Sequence, residues 1–205
     1  MSNLLNAMYN PARTAEHINR IDKRRSDLQS QVAGLFLPST QLVCEFGCGH
    51  GHFLAAYASA HPESQCVGLD ISRERIERAD RKRDRAKLAN LRFVHADAGD
   101  FLGALPAGTT FSEIYILFPD PWPKRRHHKN RLMQPDFLEN ITRRAGEGAR
   151  LYFRTDYEPY FREVELLLGA HPSWQLLAGP WPFEQVTVFQ SRAPHHFSLA
   201  ASRRV

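Results

Sequence analysis

The sequence is poor in cysteine and has no long apolar run. Its three cysteines, Cys44, Cys48 and Cys66, form no Cys-x-x-Cys pair. Three is also an odd number for a disulfide framework, and we therefore expect buried, reduced thiols. No apolar run approaches the roughly 20 residues that span a bilayer, and the polar N-terminal stretch does not resemble a signal peptide. These absences predict a cytoplasmic protein that does not associate with membranes.

Internal repeats and low-complexity linkers are also absent, and the charge is only mildly biased. Lysine and arginine total 27 against 22 acidic residues, which gives a net charge of +5. That balance is compatible with binding a nucleic acid but does not require it. We predict a polar arm over residues 1–27 and one domain over residues 28–205. The basic cluster of the arm consists of Arg20, Lys23, Arg24 and Arg25.

Apolar strand-like segments alternate with helix-like segments along most of the chain. Strands are predicted over residues 42–46, 66–70, 91–95, 114–118 and 149–154. Helices are predicted over residues 28–37, 72–88, 134–144 and 158–168, and in the alanine-rich stretch before Pro62. Further strand-like runs lie near 174–177, 185–190 and 196–200, and the last two suggest an antiparallel hairpin. This order predicts an α/β, Rossmann-like doubly wound fold with a mostly parallel, seven-stranded sheet.

A glycine-rich turn follows the first predicted strand, in the pattern Glu45-x-Gly47-x-Gly49-x-Gly51. Glycines there let the backbone turn sharply and let a ligand approach closely. The spacing differs from the Gly-x-Gly-x-x-Gly of dinucleotide-binding folds, and the Gly-Lys-Ser/Thr of phosphate-binding loops is missing. A tight turn that binds no ligand remains the alternative for this feature alone.

Carboxylates end the next two predicted strands. Asp70 can accept hydrogen bonds from ribose hydroxyls, and Asp97, which precedes Ala98, can receive an adenine amino group. Together with the glycine turn, these residues resemble the cofactor site of class I methyltransferases. The resemblance implies S-adenosyl-L-methionine as cofactor and S-adenosyl-L-homocysteine as product, with Glu45 near the methionine amino group. A nicotinamide cofactor remains an alternative. We expect no metal site, because His50 and His52 flank a turn that the cofactor needs.

The segment after the fourth predicted strand combines an acid, an indole and many cations. Asp120 and Trp122 are interspersed with three prolines, which stiffen the backbone. An acid beside an aromatic ring suits a nucleobase, and the basic residues over 124–131 suit phosphates. The alternative is a charged surface loop around a packed Trp122.

The sequence Phe-Pro-Asp-Pro-Trp followed by Lys-x-Arg-His-x-Lys resembles the motif of the bacterial tRNA (guanine-N7)-methyltransferase family. The match runs from about residue 42 to residue 190 and includes Thr155-Asp156 and the segment from Thr187 to Gln190. It implies methylation of a guanine N7 in the tRNA variable loop, with Asp120 as the catalytic residue. The substrate-binding residues it implies are Trp122, Lys124, Arg126, Asp156, Thr187 and Gln190.

Two departures from the family motif keep other functions open. Gln190 stands where the family has Glu, and Asn130 stands where it has the first of two arginines. A relative that methylates a nitrogen of a small, purine-like heterocycle is one alternative. A non-catalytic RNA-binding module is another, although the intact glycine turn and its two carboxylates argue against it.

Overall fold

A computed structural model describes residues 11–185 and 195–204 of the chain. The helices are α1 (Pro11–Leu35), α2 (His52–Ala60), α3 (Arg73–Ala86), α4 (Ala98–Ala104), α5 (Pro135–Arg144) and α6 (Glu158–Ala170). The strands are β1 (Gln41–Phe46), β2 (Gln65–Asp70), β3 (Leu91–His95), β4 (Thr110–Leu117), β5 (Ala145–Thr155), β6 (Trp174–Leu177) and β7 (Phe197–Arg203). A short 3-10 helix covers Arg125–Asn130. Helix α4 is absent from the predicted elements.

The strands form one sheet in the order β3-β2-β1-β4-β5-β7-β6. The first five are parallel, whereas β7 runs antiparallel to both β5 and β6. The predicted fold class is confirmed. The partner of the last strand differs from the expected one, because β7 inserts between β5 and β6. Most of the run at 185–190 lies outside the described residues.

Two apolar layers cover the faces of the sheet. One layer contains residues of α1, α4, α5 and α6, and the other contains residues of α2 and α3. The central strands are buried on both faces, and β1 and β2 each have five consecutive buried residues. Such burial explains why these strands read as continuous apolar runs. In the described parts of the chain, no helix is both long and apolar enough to cross a membrane.

Helix α1 is one continuous element where the sequence predicts an arm followed by a short helix. Leu28 and Val32, one turn apart, are buried in the core of the domain. Closer to the N-terminus, the guanidinium groups of Arg24 and Arg25 bond the Asp100 carboxylate of α4 at 2.7 and 2.9 Å. The helix therefore continues across residue 27, and its contacts with the domain lie on both sides of that residue. The division into an arm and a domain stays a prediction.

Replacing Asp100 with Asn should loosen α1 from α4. Burial acts to raise the pKa of Asp100, but the hydrogen bonds from Arg25 and Arg24 outweigh it, and the pKa lies below its ordinary value. The pairs therefore stabilise the fold above about pH 4, and this contribution is lost as the pH falls through the depressed pKa. We expect Asp100→Asn to lower the free energy of unfolding by about 1 kcal/mol at neutral pH.

Urea denaturation at neutral and at strongly acidic pH measures this effect. The matched control is Glu74→Gln, which removes an exposed ion pair between Glu74 and Arg78 within α3. An Asp100→Asn loss of equal size at both pH values would contradict the electrostatic origin of the contact.

Candidate active site

The loop between β1 and α2 turns through three glycines with positive φ. Gly47, Gly49 and Gly51 have φ angles of 79°, 53° and 65°, a region that other residues enter only at a cost. The backbone N–H groups of Gly47 and Cys48 donate to the Leu69 carbonyl at 2.8 and 2.9 Å. The glycine loop is thus fixed against the carboxyl end of β2.

Asp70 ends β2 and braces this loop with its side chain. Its Oδ2 accepts from the Gly49 N–H at 3.0 Å, and its Oδ1 accepts from the Ser72 N–H at 2.8 Å. A nitrogen of the Arg75 guanidinium lies 3.5 Å from Oδ2. A carboxylate offers about four acceptor sites. Asp70 can therefore hold the loop and still accept a hydrogen bond from a ligand.

Asp97 caps helix α4. Its Oδ1 accepts from the backbone N–H groups of Gly99 at 2.8 Å and Asp100 at 3.4 Å, which satisfies two donors that have no partner within the helix. Ala98 is the first residue of α4. The cap fixes Asp97 at the end of β3, and its second carboxylate oxygen makes none of these capping bonds.

Glu45 of β1 has a buried carboxylate oxygen without a partner. The residue is 3% exposed, and its Oε2 has no hydrogen bond within the described residues. Burial raises the pKa of Glu45 well above its ordinary value; a hydrogen bond from the Leu54 backbone opposes this effect, and the charge of Asp70 adds to it. A buried carboxylate is costly unless a donor or cation meets it. The position therefore favours a ligand with a positively charged donor group.

These groups surround one cavity of ≈ 330 Å³ at the carboxyl ends of β1 to β4. Glu45, Asp70 and Asp97 line it from β1 to β3 and the residues that follow, and Asp120 and Trp122 line it from the segment after β4. The parallel strands bring these residues together, because their carboxyl ends meet at one edge of the sheet. Lining residues that were not predicted as site residues include His50, Ile71, Arg75 and Asn130.

The segment after β4, which we call the proline turn (residues 118–123), has a strained backbone. Phe118 and Trp122 have positive φ angles of 50° and 42°, a conformation that costs about 1 to 3 kcal/mol for each non-glycine residue. The Phe118 N–H donates to the Arg154 carbonyl at 2.8 Å, which fixes the start of the turn. Asp120 is exposed and lines the cavity. Strain of this kind is concentrated at functional sites.

Comparisons with known proteins match this architecture. A family model described as "Putative methyltransferase" matches residues 39–192. The tRNA (guanine-N(7)-)-methyltransferase of Treponema pallidum subsp. pallidum is 38% identical over 161 residues, which cover 75% of this chain and 64% of that protein. The enzyme of the same name from Leifsonia xyli subsp. xyli is 34% identical over 165 residues, 77% of this chain and 72% of that protein. This chain belongs to the tRNA (guanine-N(7)-)-methyltransferase family.

A solved structure with the same fold adds to these comparisons. It is a variant of the 16S rRNA (adenine(1408)-N(1))-methyltransferase from Catenulisporales acidiphilia, solved with its cosubstrate SAM. The TM-score is 0.53 at 19% identity, and the match covers 89% of this chain and 91% of that one. This likeness extends to the fold only. The chain spans just under two thirds of the length of the first relatives it matches, at 62% and 64%.

In this family member, the residues that the resemblance assigned to the substrate do not all line the cavity. Trp122 does, whereas Lys124 and Arg126 are exposed beside it. Asp156 is exposed after β5 and is not among the lining residues. The remaining two predicted substrate residues, Thr187 and Gln190, lie outside the described residues.

Arg131 does not belong with the phosphate-binding cations, contrary to the sequence-based prediction for residues 124–131. Its side chain is 0% exposed and forms an ion pair with Glu163 of α6. Its Nε donates to the Pro121 carbonyl at 2.8 Å. Because the guanidinium is buried and paired, it is not available to bind a phosphate of a ligand in solution. The sequence alone cannot show that Arg131 is buried and paired, because Glu163 lies 32 positions away on α6.

A second contact that was not predicted anchors the segment after β6. The guanidinium of Arg154 lies 3.9 Å from the Trp181 ring centre and donates to both carboxylate oxygens of Glu184 at 3.0 and 2.8 Å. The Phe183 ring lies 5.4 Å from that of Tyr57 on α2. This segment is therefore fixed on the sheet just before the undescribed residues 186–194.

Replacing Gly51 with Ala should disrupt the glycine loop. A Cβ there would come within 2.4 Å of the Phe93 ring and 2.9 Å of the Ala79 methyl group, at a φ of +65°. Overpacking and the unfavourable φ together should lower the free energy of unfolding by about 2 to 4 kcal/mol.

Thermal or urea denaturation measures this loss. The control is Gly103→Ala in α4, where an added Cβ meets nothing within 4 Å and should raise helix stability slightly. If both substitutions had the same effect, the close packing of Gly51 would not be needed for the fold.

Proposed function

We propose that this chain transfers a methyl group from S-adenosyl-L-methionine to N7 of a guanine in tRNA, in the variable loop. The observation that carries this proposal is the shared cavity, which carboxylates at the ends of three successive strands line together with Asp120 and Trp122. The relatives named above support the substrate. They also favour tRNA over the small heterocycle, because each of them carries the name of a tRNA-modifying enzyme.

The donor set of the cavity fits the proposed cofactor. The unpartnered Glu45 carboxylate would accept hydrogen bonds from the methionine ammonium group, since a buried acid needs a cationic donor. Asp70 would accept from the ribose hydroxyls, and Asp97 with Ala98 would hold the adenine. When bound, S-adenosyl-L-methionine supplies a methyl group that its positive sulfonium activates, and S-adenosyl-L-homocysteine is the product.

Guanine N7 already has a free lone pair, so the chain needs no general base. Catalysis then depends on positioning the base so that N7 is aligned for attack. Asp120 would accept hydrogen bonds from the N1–H and amino group of guanine, and its negative charge would offset the positive charge that the purine gains. Trp122, which lines the same cavity, offers an aromatic surface for the base.

The exposed cations beside the cavity suit the phosphates of tRNA. Lys124, Arg125, Arg126 and Lys129 are all exposed in and before the 3-10 helix. Their charges add to the overall excess of +5. Phosphate contacts of this kind fix the orientation of a nucleic acid without reading its sequence. A tRNA substrate is consistent with the predicted cytoplasmic location.

Incubation with methyl-labelled cofactor and unmodified tRNA tests the function directly. We expect label in the tRNA and, after borohydride reduction, aniline-induced strand cleavage at one guanine of the variable loop, because N7 methylation leaves that purine positively charged and open to reduction. Asp120→Asn should lower kcat by about 100-fold, since it removes the charge that stabilises the alkylated base.

The Asp120→Asn variant should bind the cofactor as the native chain does, because Asp120 follows β4 and the proposed cofactor residues lie at the ends of β1 to β3. A native chain that binds cofactor but labels no tRNA would refute the proposed substrate. Full activity of Asp120→Asn would refute the role of Asp120.

Glu45→Gln tests the cofactor site separately. Loss of a charge-assisted hydrogen bond should weaken cofactor affinity by about 10- to 100-fold in calorimetry. The raised pKa of Glu45 means that its ionised form destabilises the cofactor-free fold above that pKa and has no such effect below about pH 4. We therefore expect Glu45→Gln to stabilise the cofactor-free chain at alkaline pH and not at acidic pH.

The matched control is Glu147→Gln, which changes an exposed carboxylate of β5. It should alter neither affinity nor stability. Unchanged cofactor affinity in Glu45→Gln would exclude Glu45 from the cofactor site.

A further inference from the structure

Arg131 connects the proline turn to helix α6 through three hydrogen bonds. Its Nε donates to the Pro121 carbonyl at 2.8 Å, and a terminal nitrogen lies 3.5 Å from the Trp122 carbonyl. The other terminal nitrogen bonds the Glu163 carboxylate. We call this set, Arg131 with Glu163, Pro121 and Trp122, the Arg131 clasp.

Aromatic rings of α6 and its N-cap complete the surroundings of this guanidinium. The central carbon of Arg131 lies 4.8 Å from the Tyr160 ring centre and 5.8 Å from that of Tyr157. The Tyr160 hydroxyl in turn accepts from the Met133 N–H at 2.9 Å. Arg131 and Met133, which both follow the turn, are therefore tied to the same helix. A planar guanidinium suits this site, because it can stack on a ring and donate in several directions at once.

The proline turn needs a donor from elsewhere in the chain. Pro119, Pro121 and Pro123 have no N–H group, so the turn has few donors of its own for its carbonyl groups. Trp122 has a positive φ of 42°, a conformation that persists only where the surroundings impose it. Arg131 bonds the carbonyls of the two residues that immediately follow Asp120.

We infer that Arg131 is a positioning residue that fixes Asp120 and Trp122 at the cavity, with Glu163 as its anchor. It does so without touching the substrate, because its side chain is fully buried. The part of this inference that concerns the reaction rests on the proposed function. The part that concerns the order of the turn does not.

Limited trypsin digestion of the native chain tests the order of the turn without any activity. The adjoining segment offers cleavage sites at Lys124, Arg125, Arg126 and Lys129. We expect Arg131→Met to speed cleavage at these sites at least tenfold. Glu163→Gln, which leaves the guanidinium in place without its charged partner, should speed it less.

Glu165→Gln is the matched control, since it removes an exposed pair with Arg162 on the same helix. It should leave cleavage unchanged. Equal cleavage rates in the native chain and in all three variants would show that the Arg131 clasp does not order the turn. If Arg131→Met fails to fold, the difference between Glu163→Gln and Glu165→Gln decides the same question.

Kinetics and binding then separate positioning from phosphate binding. Arg131→Met should lower kcat by about 100-fold, because a displacement near 1 Å at the reacting groups has an effect of that size. Arg131→Lys, which keeps the positive charge but loses the planar arrangement of several N–H donors, should recover part of the lost kcat. Cofactor affinity should stay within about twofold of the native value in both variants.

The salt dependence of tRNA binding should be unchanged in Arg131→Met. By contrast, Lys129→Gln should make the plot of log tRNA affinity against log salt concentration less steep, by the amount expected for the loss of about one phosphate contact. A reduced slope in Arg131→Met, or a native kcat, would overturn the inference. If the native chain methylates no tRNA, the proposed function fails, and digestion alone decides whether Arg131 orders the turn.

Discussion

Parallel pairing of β1 with both β2 and β4 is the constraint on which the site depends. In this arrangement the carboxyl ends of three strands open at the same edge, and β3 extends that edge through its pairing with β2. Each strand then contributes one group where it ends: Glu45, Asp70, Asp97 and the proline turn. Because β1 is central and buried, a change in its pairing register would move every one of these groups.

The carboxylates of the site have structural as well as proposed binding roles. Asp70 braces the glycine loop through Gly49, and Asp97 caps α4. Both side chains are therefore held in place before any ligand arrives, which reduces the cost of ordering them on binding. Glu45 differs, because its Oε2 has no partner within the described residues. Of the three acids, it is the one whose environment improves most when a cation enters the cavity.

The sequence predicts the features of this site that depend on local pattern. Continuous apolar runs locate the central strands, and the glycine spacing locates a turn whose three glycines all have positive φ. Helix α4 escapes prediction because it is short and contains Gly99 and Gly103, so its capping by Asp97 is visible only in three dimensions. The contact of α1 with α4 also escapes prediction, because Asp100 lies 76 and 75 positions from Arg24 and Arg25.

Arg131 is a residue of the site whose surroundings also could not be predicted from the local sequence. In the sequence it closes a run of exposed cations, and only its pairing with Glu163, 32 positions away, reveals that it is buried. A resemblance to a family can assign a residue to a motif, but it cannot tell which members of that motif face the solvent. The exposed Lys124 and the buried Arg131 belong to one sequence motif and have different surroundings.

This distribution of charge would let one small site bind the two proposed partners, which have opposite charge. The proposed cofactor carries positive sulfonium and ammonium groups, whereas tRNA is a polyanion, so a cavity of uniform charge would repel one of them. Here the acids Glu45, Asp70 and Asp97 line the cavity, and the cations after the proline turn lie exposed beside it. If these acids and cations paired with each other, neither group would attract its proposed partner. The prolines and the Arg131 clasp oppose such a collapse, because they hold the turn between the acids and the cations in a fixed, strained backbone.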